Sequence, residues 1–111
     1  LVVVSNADGT VEEGLTRAGL RGYLDAVVDS QRIGHEKPDP RIFAHALSLF
    51  GSDPARTLHV GDFYAADVAG ARAARVHALL LDPHGDWGEV DCEVARDVPE
   101  VAERILSARK T

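Results

Sequence analysis

Asp62 and Asp67 stand five residues apart in His59-Val60-Gly61-Asp62-Phe63-Tyr64-Ala65-Ala66-Asp67. The first follows a short apolar run and the second falls inside an alanine-rich stretch. If a strand ends at Gly61-Asp62 and a helix begins at Ala65, both carboxylates reach one small volume, where a hard cation such as Mg2+ would hold them together. Two other apolar runs lead to polar groups. Ser5-Asn6 directly follows Leu1-Val2-Val3-Val4, and Lys37 lies in Gly34-His35-Glu36-Lys37-Pro38, beyond Ala26-Val27-Val28. A hydroxyl, a fixed cation and metal-binding carboxylates together suit a phosphoryl group. The serine donates to a phosphoryl oxygen, the lysine offsets charge, and a metal ion bridges. Taken singly, each residue has an ordinary role: Ser5 and Asn6 as turn residues, Lys37 as a surface charge, Asp62 as a helix cap and Asp67 as a solvated acid. Ser5 has no histidine in its motif to act as a base, so it reads as a donor and not as a nucleophile.

The elements that must position these groups alternate between strands and helices. Leu1–Val4 is a continuous apolar run, expected of a strand buried on both faces in a parallel sheet. Val11, Leu15 and Ala18 fall at helical spacing, with Gly19 at the helix end. Ala26–Val28 forms a second strand, closed by Asp29-Ser30. Pro38 keeps Lys37 out of the helical region, so residues 34–38 form a loop. Asp39 as N-cap and Pro40 at the first helical position start a helix through Phe43, Ala46, Leu47 and Phe50, ended by Gly51. Thr57–Val60 is the strand before Asp62, Ala65–Ala74 a helix, and Ala78–Leu81 a third buried strand. A turn-rich loop follows from Asp82 to Gly88, then a brief edge strand at Val94-Ala95 and an amphipathic helix carrying Val98, Val101, Ala102, Ile105 and Leu106. This order predicts a three-layer α/β/α sandwich on a parallel sheet, with right-handed crossovers and the strands' carboxyl ends on one edge. Ser5, Lys37 and Asp62 are therefore expected to converge there.

Composition bounds the function. The chain has 111 residues, 45% of them hydrophobic, which suits one domain with a modest core. Twelve basic residues against 18 acidic give a formal charge of −6, and the basic ones are scattered, which argues against nucleic-acid binding. No apolar run approaches the length of a membrane span. Cys92 is the only cysteine, so no internal disulfide forms and a reducing, cytoplasmic compartment is the default. The first residue already lies within an apolar strand, which leads to the expectation that a preceding segment is missing.

Three segments in order resemble the haloacid dehalogenase (HAD) superfamily of hydrolases. Val4-Ser5-Asn6 is similar to its second motif, a strand ending in Ser or Thr followed by Asn. Gly34 to Phe43 is similar to the third, G-x-x-K-P-D-P-x-I-F. Gly61-Asp62 through Asp67, with Ala69-Gly70-Ala71, resembles the fourth, G-D-x-x-x-x-D with a trailing A-G-A. The likeness runs from Val2 to about Leu81. It implies a Mg2+-dependent phosphatase acting on a small phosphorylated metabolite through an aspartyl-phosphate. Ser5 would bind a phosphoryl oxygen and Asn6 would shape the pocket. Lys37 would pair with the phosphoryl group and nucleophile, Asp62 would ligate Mg2+, and Asp67 would support the metal shell. Ala66 replaces the Asn common before the second acid, and Arg75 stands where the family often has Gly. The family's opening D-x-D strand, source of the nucleophile and the acid/base, is not found, nor is its cap. Residues 1–111 thus resemble a partial, Rossmann-like HAD core that lacks its central strand. By this reading the chain alone is inactive. Its first strand and Leu58–Val60 are expected to pair directly or to be closed by a second chain, since an open edge invites self-association. The alternatives are a non-catalytic module that binds phosphate or a partner, and an unrelated receiver-like or flavodoxin-like domain. A receiver, however, carries its acids on other strands.

Overall fold

Val2–Ser5 forms β1 and lies parallel to β2 (Ala26–Asp29), with Val2 opposite Ala26 and Ser5 opposite Asp29. Valine dominates both strands, as a pleated, partly buried surface favours. The computed structural model describes residues 1–109. Helix α1 (Val11–Arg17) connects the two strands, and a short helix α2 (Ser30–Ile33) follows β2 directly. Helix α3 (Pro40–Ser48) begins as expected: the Asp39 carboxylate accepts from Arg41 N at 2.9 Å, and Pro40 opens the first turn. A second parallel sheet then builds in the order β3 (Leu58–Gly61), β4 (His77–Leu81), β5 (Glu93–Ala95). Helix α4 (Ala69–Ala73) links β3 to β4, and α5 (Val98–Arg109) ends the described chain. No helix among the described residues is long and apolar enough to cross a membrane.

Alternation along the strands divides the core into two layers. On one face, Val28, Ile42, Phe43, Ala71 and Val76 form a cluster joined by Val2, Val4 and Ala78, so residues of both sheets pack against α3 and α4. On the other, Leu79 and Ala95 meet Val101 of α5, with Val60 and Leu81 alongside. The second sheet is thus covered by helices on both faces, as a three-layer α/β/α architecture requires.

Three expectations are corrected. First, of the two arrangements expected, direct pairing of β1 with β3 does not occur: a cleft of about 520 Å3 separates the two sheets, lined by Val2, Val4, Phe43, Leu47, Leu58 and His59. The Phe43 ring, one of the residues lining that cleft, stands edge-on to His59 with centroids 4.9 Å apart. Second, and for the same reason, β1 is half-buried along its length instead of buried on both faces. Third, the segment expected as one helix from Ala65 begins with a π-helical turn at Tyr64–Val68 before α4. Asp67 (4% exposed) and Val68 (0%) are both buried in that turn.

Two positions show where backbone conformation limits the sequence. A Cβ on Gly70 would lie 2.8 Å from Phe43 Cε2 and 3.0 Å from Pro38 Cα, so α4 can approach the Lys37 loop only without a side chain there. Arg75 adopts φ +64°, in the left-handed region that glycine prefers, after the end of α4. Gly70→Ala is expected to lower stability by about 1–3 kcal/mol through overpacking. Arg75→Gly is expected to leave it unchanged or raise it by up to about 1 kcal/mol. Urea unfolding of both variants checks the opposite signs.

Candidate active site

The carboxyl end of β1 is fixed from below by β2. The buried Asp29 carboxylate accepts from the backbone N–H groups of Gly9 (3.1 and 3.0 Å), Val11 (3.3 Å) and Gln31 (3.0 Å). Ser30 Oγ accepts from Ala7 N at 2.9 Å and donates to Ala7 O at 3.2 Å. In sequence, Asp29-Ser30 reads only as the end of a strand. In the fold it ties down the loop that follows Ser5 and Asn6. Ser5 is half-buried, and its hydroxyl has no hydrogen-bond partner among the described residues. Asn6 is fully engaged in a different way. Its amide oxygen accepts from Lys37 N at 2.8 Å and its Nδ2 donates to Lys37 O at 3.0 Å, a two-point clamp on the lysine backbone.

The Lys37 side chain is pinned as well. Nζ donates to Asp67 Oδ1 at 2.6 Å, with the two side chains 12% and 5% exposed. His59 Nε2 lies 2.8 Å from the same oxygen, and Phe63 N donates to Oδ2 at 3.1 Å. Burial opposes ionisation of Asp67. Hydrogen bonds from His59 and Lys37, the lysine charge and the Phe63 N–H outweigh it, and hold the carboxyl well below the usual carboxylate range. Neither surface role considered for the two acids survives: Asp67 is buried, and Asp62 caps no helix. Gly61 explains the Gly-Asp pattern, because a Cβ there would lie 2.1 Å from Asp67 Cγ.

Ser5, Asn6, Lys37, Asp62, Phe63 and Asp67 line one open cavity of about 500 Å3, so all five expected site residues meet where β1 and β3 end. A larger, shallow groove of about 860 Å3 runs past Thr57, Leu58 and His77 at the opposite strand ends and holds none of them. Asp62 is exposed and has no hydrogen-bond or ion-pair partner among the described residues, so both of its oxygens are open to a cation. Asp67 is not open in that way, since Lys37 and His59 share its Oδ1. No group of three or more His, Cys, Asp or Glu side chains among the described residues comes together to hold a metal ion. Asp62 is thus the one free carboxylate of the described site, a donor of the kind that would hold Mg2+ together with phosphate and water.

Residues that sequence reasoning missed are His59, Asp29 and Ser30. His59 carried a faint signal, as a polar side chain inside the apolar run before Gly61. The acid dependence follows from Asp67. Its carboxyl titrates lower when folded than the ordinary 3.8, so its ionised form stabilises the fold fully above that value. The contribution is lost as pH falls through the folded value. The melting temperature is expected to hold near neutral pH and fall below about pH 4. Asp67→Asn is expected to cost roughly 3 kcal/mol at pH 7, because it leaves the Lys37 ammonium unpaired, and to flatten the acid limb. Thermal unfolding from pH 7 to pH 3 measures both.

A family model described as "Hydrolase: haloacid dehalogenase-like hydrolase" matches residues 1–75. The chain is 47% identical over 81 residues to haloacid dehalogenase-like hydrolase domain-containing protein 3 of Bos taurus, covering 73% of this chain and 32% of that protein. It is 33% identical over 99 residues to a glyceraldehyde 3-phosphate phosphatase of Methanothermobacter thermautotrophicus, covering 82% and 44%. The crystal structure of a HAD phosphatase from Thermococcus onnurineus superposes with a TM-score of 0.85 at 27% identity, over 95% of this chain and 49% of that one. The chain thus spans between a third and a half of the length of these proteins. With its family model matched from β1 through α4, the chain belongs to the haloacid dehalogenase-like hydrolases.

Proposed function

We propose that this chain forms the phosphoryl-binding half of a phosphomonoester hydrolase site for a small phosphorylated substrate. The observation that carries the reading is the single cavity holding Ser5, Asn6, Lys37, Asp62 and Asp67, residues drawn from three separate segments. Each has a distinct task. The free Ser5 hydroxyl donates to a phosphoryl oxygen. Asn6 holds the Lys37 backbone, and Asp67 holds the ammonium, so the charge waits in place before substrate arrives. Asp62 offers one oxygen ligand to Mg2+, which would neutralise phosphoryl oxygens when bound. Mg2+ commonly takes only one or two protein carboxylates and completes its shell with phosphate and water. The phosphatase relatives support the substrate class.

The described site holds no free carboxylate besides Asp62, and that one would face the metal. An aspartyl-phosphate needs a nucleophilic carboxylate, and release of the alcohol needs a second group to protonate it. We infer that both come from an additional strand between β1 and β3, and that residues 1–111 do not turn over phosphate esters alone. The test is an assay with p-nitrophenyl phosphate and Mg2+. The 111-residue chain is expected to be silent. The same chain extended at its amino end by a strand bearing D-x-D is expected to gain activity that Lys37→Ala and Asp62→Ala each reduce at least about a hundredfold. Metal-dependent turnover by the unextended chain, abolished by Asp62→Ala, would place the catalytic groups elsewhere.

A further inference from the structure

The side chain with the least evident purpose near the site is His59. It sits on β3, two residues before Gly61, with its side chain 13% exposed. Its neighbours on the same strand, Val60 and Leu58, are apolar, and an aliphatic residue would fill the space at lower desolvation cost. Instead, Nε2 meets Asp67 Oδ1 at 2.8 Å, the oxygen that also receives Lys37 Nζ at 2.6 Å. An ionised carboxylate only accepts, so Nε2 carries the proton and donates. Nδ1 has no hydrogen-bond partner among the described residues. The ring is set from the side by Phe43, edge-on at 83°.

We propose that His59 is a positioning residue of the active site, which aims the Lys37 ammonium by occupying one of the two lone-pair directions of Asp67 Oδ1. A carboxylate oxygen accepts in its plane along two preferred directions. With His59 in one and the Phe63 N–H on Oδ2, the ammonium is confined to the other direction on Oδ1 and faces the cavity of Ser5 and Asp62. Without His59, Nζ can swing between both directions of Oδ1, and the placement that Asn6 secures at the backbone is lost at the charge. His59 does not touch substrate in this arrangement; it acts through Asp67. The purpose of the device rests on the phosphoryl-site reading, whereas its geometry does not.

The sequence makes the test clean, because Lys37 and Lys110 are the only lysines. In a Lys110→Arg background, one lysine side-chain ammonium remains, and its 1H–15N signal reports Lys37 alone. It is expected to be visible and slow to exchange with water, held by Asp67. His59→Gln, whose amide N–H reaches the same oxygen, is expected to keep the signal. His59→Phe, which keeps the ring contact with Phe43 but donates nothing, is expected to speed ammonium exchange about tenfold while the backbone amide spectrum stays folded, the effect of one charged hydrogen bond. Should His59→Phe not fold, His59→Asn, whose donor stops short of Asp67, is expected to give the same loss. An unchanged Lys37 signal in His59→Phe or His59→Asn overturns the proposal. A parallel titration with orthophosphate and Mg2+ separates the two ideas. Absent shifts at the Ser5 and Asp62 amides of the unsubstituted chain would count against the phosphoryl site, while the ammonium signal still decides the role of His59.

Discussion

A buried carboxylate with three donors governs this site. Asp67 is 4% exposed, and an isolated charge at that depth would cost several kcal/mol. It is tolerated because Lys37, His59 and the Phe63 N–H arrive from a loop, a strand and a turn to satisfy it. The requirement propagates outward. Gly61 must lack a side chain for the carboxylate to lie against the end of β3. Asp67 and Val68 are buried together in the π-helical turn that follows β3. Gly70 must lack a side chain for α4 to sit beside Pro38 and Phe43, which brings the Lys37 loop within reach. Gly61 and Gly70 are thus conditions for one ion pair.

The second constraint is the distance between the sheets. Ile42 and Phe43 of α3 anchor a core that contains Val2, Val4 and Val28 from one sheet and Ala78 from the other. The helix joins the sheets beside the cleft that lies between them. That spacing leaves the facing edges of β1 and β3 without backbone partners from each other, and exposes Leu58 (36%) and Phe50 (57%) at the cleft. Unpaired parallel edges beside apolar side chains form a template for another strand, whatever supplies it.

How much of this the sequence carried depends on whether the signal was local. Asp39-Pro40 states a helix start by capping chemistry alone, and the helix begins there. The Val-rich and Leu-rich runs state parallel strands, and all five strands pair in parallel. The gathering of Ser5, Lys37 and Asp62 followed from one rule, that groups at the carboxyl ends of parallel strands share an edge. What was not legible required partners far apart in the chain. The Asn6 clamp on Lys37 spans 31 residues. His59 looked like an interruption of a strand until its partner eight residues on was turned inward by a π-helical turn that hydrophobic periodicity does not encode. The absence of β1–β3 pairing was hidden for a similar reason, because strand runs do not reveal which strands lie side by side.

Charge balance explains the division of labour among these groups. Lys37 and Asp67 cancel one another, and the ion pair is too buried for water to screen it. The fixed ammonium therefore contributes direction more than net attraction: it presents N–H donors to the cavity while its charge is already half-spent on Asp67. Asp62 adds an uncompensated negative charge at the rim, so the protein groups lining the cavity sum to about −1. A phosphoryl dianion would be repelled by that sum at close range. The Ser5 hydroxyl and the Lys37 ammonium remain as the donors that face the cavity. The ion pair that fixes the lysine in place thus leaves the Asp62 charge as the one the cavity does not balance.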